Sequence, residues 1–160
     1  MLQRICLVLL VLVAMVLLAT TTPAFAQVGP FNGLTGLWVG TGKFHMENGK
    51  HESVSCRTTY FASESDTSLR VTFRCASPSD KFEAVGRMKS SGGTLSGSWS
   101  ESRHGNHGSI SGMAKKGQIH ALVNGEILKG SIDVTHSSVS QSVTVVLQSL
   151  GKMTLSLWKN

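Results

Sequence analysis

From Leu34 to Trp158 the chain alternates apolar and polar residues in short runs, and Gly, Ser, Asn or Lys separates one run from the next. A period of two is the mark of a β-strand with one buried face, and nothing here sustains the 3.6-residue stripe of a helix. The alternation places strands at about 34–43, 51–61, 68–76, 81–89, 94–101, 108–114, 117–124, 126–135, 140–149 and 152–159. Links such as Glu47-Asn48-Gly49-Lys50, Ser90-Ser91-Gly92-Gly93, Lys115-Lys116-Gly117 and Asn124-Gly125 are hairpin chemistry, because Gly and Asn accept the left-handed backbone of tight turns. Short links make sequential strands antiparallel neighbours. A flat meander of this length leaves two unpaired edges, and curling it shut removes them. The expected fold is therefore all-β, an antiparallel up-and-down meander closed into a small barrel of about 8–10 strands, with a β-sandwich as the alternative.

A faint repeat fits that geometry. Leu34-Thr35-Gly36-Leu37-Trp38, Leu95-Ser96-Gly97-Ser98-Trp99, Ile110-Ser111-Gly112-Met113 and Leu128-Lys129-Gly130-Ser131-Ile132 each set an aliphatic residue two places before a Gly. With side chains alternating across the strand, those residues share one face, where a missing Cβ lets a strand bend or a ring lie close.

The start of the chain has another character. MLQR carries one basic side chain, Ile5 to Leu18 is unbroken apolar sequence, and Ala24-Phe25-Ala26 follows a polar spacer. This is the pattern of a secretory signal, and the apolar run is shorter than the roughly 20 residues a membrane helix needs. Residues 1–26 are expected to be a signal peptide and 27–160 one barrel-like domain in the periplasm or outside the cell, with no membrane-spanning segment left after cleavage. Cys6 would leave with the signal. Cys56 and Cys75 then remain, an even pair in an oxidising compartment. A hairpin centred in Ser63-Glu64-Ser65-Asp66-Thr67-Ser68 sets Cys56 opposite Cys75, Thr58 opposite Phe73 and Tyr60 opposite Val71. Both cysteines fall on the more apolar faces, so a structural disulfide is expected.

Without Arg4 the remainder carries 14 basic and 9 acidic side chains, a net of +5, spread along the chain. No concentrated basic stretch with interleaved aromatics marks it as a nucleic-acid binder, and export argues against that partner. Arg57, Arg70 and Arg74 lie on the face of the cysteine hairpin opposite the cysteines, where they are candidates for contact with an anionic surface. Catalytic signals are thin. Glu101, Arg103, His104 and His107 crowd one turn, but metal sites that deserve trust have more ligands in a defined element, so a polar turn is expected and no metal site. There is no Gly-x-Ser-x-Gly elbow, no carboxylate pair is singled out, and no phosphate loop points to a cofactor. No catalytic residue is assigned, and a cryptic hydrolase is the weakest of the functional readings.

Gly33-Leu34-Thr35-Gly36-Leu37-Trp38 resembles the Gly-x-Trp opening of calycin barrels, lipocalin-like and above all avidin-like, and Ser91-Gly92-Gly93-Thr94-Leu95-Ser96-Gly97-Ser98-Trp99 resembles a later avidin-like hairpin. The resemblance implies an up-and-down barrel holding a small hydrophobic ligand at one end. The chain departs from that pattern in its cysteine hairpin and its ten strands in place of eight, and no biotin site carries over. Two binding readings follow. In one, a barrel holds a small or apolar ligand against Trp38, Tyr60 and Trp99. In the other, an envelope-associated or secreted module contacts an envelope protein or serves a structural role without a small ligand. A solvent-exposed Trp158 or a contiguous apolar patch distinguishes the second.

Overall fold

The computed structural model describes residues 28–160, so the expected signal segment 1–26 lies outside the described residues. Ten strands follow in order: β1 (Gly36–Met46), β2 (His51–Ala62), β3 (Ser68–Ala76), β4 (Lys81–Ser91), β5 (Thr94–Glu101), β6 (His107–Lys115), β7 (Gln118–Gly125), β8 (Lys129–His136), β9 (Ser140–Leu147) and β10 (Gly151–Lys159). Each pairs antiparallel with the next, and β10 pairs with β1 from Trp38↔Lys159 to Met46↔Gly151, which closes the barrel. The sandwich alternative is not realised. Closure satisfies the backbone donors and acceptors that an open meander leaves on its two edge strands.

The alternation sorts side chains as the period requires. Val54, Cys56, Thr58 and Tyr60 of β2, Leu95 and Trp99 of β5, and Leu155 and Leu157 of β10 point inward and are buried in one core. Their outward neighbours are largely Ser and Thr, with Phe61 and Trp158 as exposed rings among them. Among the described residues no helix is long and apolar enough to cross a membrane.

Glycine decides how tightly β1 meets β10. At Gly40 a Cβ would lie 2.8 Å from the Leu157 Cα, inside the neighbouring backbone, so only Gly fits that close approach. Gly97, Gly112 and Gly130 of the repeat act in the same way. A Cβ at Gly97 would come within 2.8 Å of the Met88 Cα.

Two expected strands start elsewhere. Leu34 belongs to a plug ahead of β1, because its carbonyl accepts the Trp38 indole N–H at 2.7 Å and it buries with Phe31 beneath the barrel end. The plug is tied by the Phe31 amide donating to the Asp66 carbonyl and by Lys159 Nζ donating to the Gly33 carbonyl at 2.9 Å. The run expected at 126–135 begins as a turn instead, since the Gly125 amide donates to the Leu128 carbonyl, and β8 starts only at Lys129.

Candidate functional site

Cys56 and Cys75 face each other across β2 and β3 and form a disulfide, with Cα atoms 4.2 Å apart. Thr58 lies opposite Phe73 and Tyr60 opposite Val71, the register that the hairpin argument sets.

The three candidate ligand residues all lie inside the barrel. Trp38 is fully buried above the plug and meets Tyr60 edge-on, with ring centroids 6.4 Å apart. Tyr60 donates its hydroxyl to Gln141 Oε1 at 3.0 Å, and burial raises its pKa well above the ordinary phenol value. Trp99 belongs to the other end, where its ring lies against Gly125. The structure therefore unites Trp38 with Tyr60 and separates both from Trp99. Next to Gln141 across the β8–β9 pair stands His136, on the inward face of β8. Among the described residues Gln141 Nε2 has no hydrogen-bond partner, while the His136 ring lies against the backbone of Pro30 and Ser137.

Glu101, His104 and His107 meet only in part. Glu101 is 2% exposed and accepts the amides of Arg103 at 2.7 Å and His104 at 2.8 Å, while His104 Nδ1 lies 3.3 Å from the same carboxylate. Its work is to satisfy the backbone of the β5–β6 turn. His107 turns instead toward the Gly105 carbonyl, and among the described residues no group of three or more His, Cys, Asp and Glu gathers as metal ligands.

Charge organisation appears on the outer wall of β2, β3 and β4. Register sets Val39, Arg57, Arg74 and Glu83 in one cross-strand row, Leu37, Thr59, Thr72 and Val85 in the next, and Phe61, Arg70 and Arg87 in a third. Arg57 thus stands directly opposite Arg74, and Arg70 directly opposite Arg87. Like charges in that position destabilise a sheet. Arg74 is relieved by Glu83 at 2.8 Å, which raises the arginine's pKa and lowers the carboxylate's. Among the described residues Arg57, Arg70 and Arg87 have no carboxylate within ion-pair distance.

Each arginine pair lies in an open groove on this wall. One groove, of about 660 Å³, runs over the disulfide and is lined by Arg57, Arg74, Lys81 and Arg103 with Glu83. The other, of about 480 Å³, is lined by Phe61, Arg70, Arg87 and Lys89. Trp158 is beside the first, opposite Val39 and 55% exposed. Sequence reasoning found Arg57, Arg70 and Arg74 but missed Arg87. The signal was present, because a β3–β4 hairpin turning at Pro78-Ser79 brings Arg87 opposite Arg70.

No protein-family model matches the sequence, and no curated protein matches it. Among solved structures, an S-type phycobiliprotein lyase from Guillardia theta is similar at a TM-score of 0.52 and 14% identity, covering 81% of this chain and 90% of that one. A de novo designed fluorescence-activating β-barrel (TM-score 0.48, 12% identity, 84% of this chain and 100% of that one) and a redesigned β-barrel (0.48, 12%, 84% and 97%) are also similar. The lyase likeness concerns the fold alone. What the fold defines is a closed, ten-stranded antiparallel barrel.

Proposed function

We propose that this is an exported, non-catalytic barrel that works through its outer wall, as an interaction module for an anionic partner in the envelope or outside the cell. The observation that carries the reading is the direct opposition of Arg57 to Arg74 and of Arg70 to Arg87. A sheet that places guanidinium groups face to face gives up stability unless something negative lies between them. The exposure of Trp158 supports a surface role as well, since a large ring beside a charged groove adds contact area. Export is supported by the basic, apolar and small-residue order of the first 26 residues and by the disulfide.

Retention on an immobilised anionic matrix, eluted with a salt gradient, tests the reading. A variant carrying Arg57→Ser, Arg70→Ser and Arg74→Ser is expected to elute early. Removing three lysines from elsewhere, Lys115, Lys116 and Lys152, should change elution far less. Equal losses would reduce the effect to net charge and defeat the proposal.

A second reading rests on the interior. The unpartnered Gln141 amide nitrogen, beside Tyr60 and the Trp38 ring that Tyr60 meets, suits a small ligand with polar and apolar parts, as the calycin resemblance implies. Native mass spectrometry of protein purified gently from its own source tests it. A retained small-molecule mass supports an internal ligand, and a bare polypeptide mass removes that support.

A further inference from the structure

Resting on the outer-wall reading, we infer that the partner is a linear acidic polysaccharide that lies along β2 and β3 and engages both arginine pairs at once. Arg57 and Phe61 are four residues apart on β2, as are Arg74 and Arg70 on β3, so the rows that hold the two pairs are about 13 Å apart along the strands. One groove belongs to each row, and both open on the same wall. Between them, Thr59 and Thr72 face outward with their hydroxyls. A chain with repeated negative charge and many hydroxyl groups fits this order of guanidinium, hydroxyl, guanidinium. Trp158 at the edge of the first groove and Phe61 in the second supply flat apolar faces for sugar rings.

The shape of the wall selects a polymer over a membrane. A planar bilayer meets a cylinder along a narrow strip, whereas a flexible chain can follow the shallow grooves across its side. The exposed rings sit on the wall, Trp158 near the end of β10 and Phe61 near the end of β2. A single small anion would need one pair only. Two aligned pairs give a long ligand a second attachment whose effective concentration is set by the first.

The test uses the mature, oxidised protein with oligogalacturonides and dextran sulfate fractions of graded length, measured by calorimetry. Affinity is expected to rise steeply, by roughly tenfold or more, once the oligomer is long enough to span both pairs. Arg57→Ser with Arg74→Ser, and separately Arg70→Ser with Arg87→Ser, should each abolish that rise while leaving binding of the shortest oligomers within a few-fold. The Arg70→Ser with Arg87→Ser variant should unfold at or above the wild-type temperature, because it removes a like-charge opposition and no ion pair, so its lost binding cannot be ascribed to lost structure. The other double variant also removes the Arg74–Glu83 pair and is read against its own unfolding temperature. Glu83→Gln frees Arg74 and is expected to strengthen binding. Salt-sensitive binding that depends on the arginines but not on oligomer length overturns the polysaccharide inference and leaves the outer-wall reading standing. Binding to phosphatidylglycerol vesicles without binding to either polymer overturns it in favour of a lipid surface, and no binding to any anionic probe overturns both.

Discussion

Removing the Cys56–Cys75 bridge tests how the barrel holds its β2–β3 hairpin. The two cysteines are 19 residues apart in sequence and join β2 to β3 at a position already fixed by the ladder. The bond therefore adds little to native contacts and acts chiefly on the unfolded chain, where it removes the freedom of the loop it closes. For that length the chain-entropy relation gives about 3 kcal/mol at 25 °C. In a domain of this size each kcal/mol moves the unfolding midpoint by roughly 3–5 °C, so a fall of about 10–15 °C is expected. Cys56→Ala with Cys75→Ala, followed by urea unfolding with tryptophan fluorescence, measures it directly. The unbridged protein should also show a larger dependence of stability on denaturant, because its unfolded state exposes more surface. A change below about 1 kcal/mol with an unaltered slope would refute the reasoning and mean that the unfolded hairpin is already restrained by other contacts.

Three further outcomes follow from buried groups and close backbones. Glu101→Ala leaves the Arg103 and His104 amides without their acceptor and should cost about 3 kcal/mol in equilibrium unfolding, with Glu101→Gln recovering part of it. Gly40→Ala drives a Cβ into the Leu157 backbone and should either cost more than about 2 kcal/mol or prevent closure, seen as a loss of soluble monomer. Burial lowers the His136 pKa below its ordinary value of 6.5, so the folded protein favours the neutral ring. The stability this contributes is complete above the unfolded pKa and is lost as pH falls through the folded one, and His136→Phe should flatten the unfolding midpoint's dependence on pH below about 6.5.

Strand-level order was legible because a barrel wall imposes a period of two, which is clean in β2, β5, β7 and β10 and blurred in β3, β4 and β8. Hairpin register was legible at β2–β3 because two cysteines on apolar faces admit one convenient alignment. Tertiary partners were not. Leu34 continues the alternation into β1, and only the hydrogen bond from the Trp38 indole reveals that it belongs to the plug. Glu101 reads as one more polar turn residue, yet it is buried because two amides of its own turn need an acceptor. Of the candidate site, three arginines were visible as a common face. The opposition of Arg57 to Arg74 follows from the same β2–β3 register that pairs the cysteines, whereas the opposition of Arg70 to Arg87 needs the β3–β4 register as well.

Inside and outside of this barrel answer to different demands. Inward positions are constrained by volume and by close backbone approach, as Trp38, Gly40 and Leu157 show, and a change there is felt by the fold. Outward positions on β2 to β4 are less constrained: Arg57, Arg70, Arg74 and Arg87 are exposed, and the row between them is built from the half-buried Thr59 and Thr72. Arginine placed opposite arginine at two of three consecutive rows runs against the local preference of the sheet. The cost falls when an anion binds, so ligand and fold are linked: whatever neutralises the wall stabilises the barrel, and the stabilisation grows with ligand concentration over its dissociation constant. A rise in unfolding temperature with added polyanion, absent in the arginine-pair variants, is the thermodynamic form of the same claim.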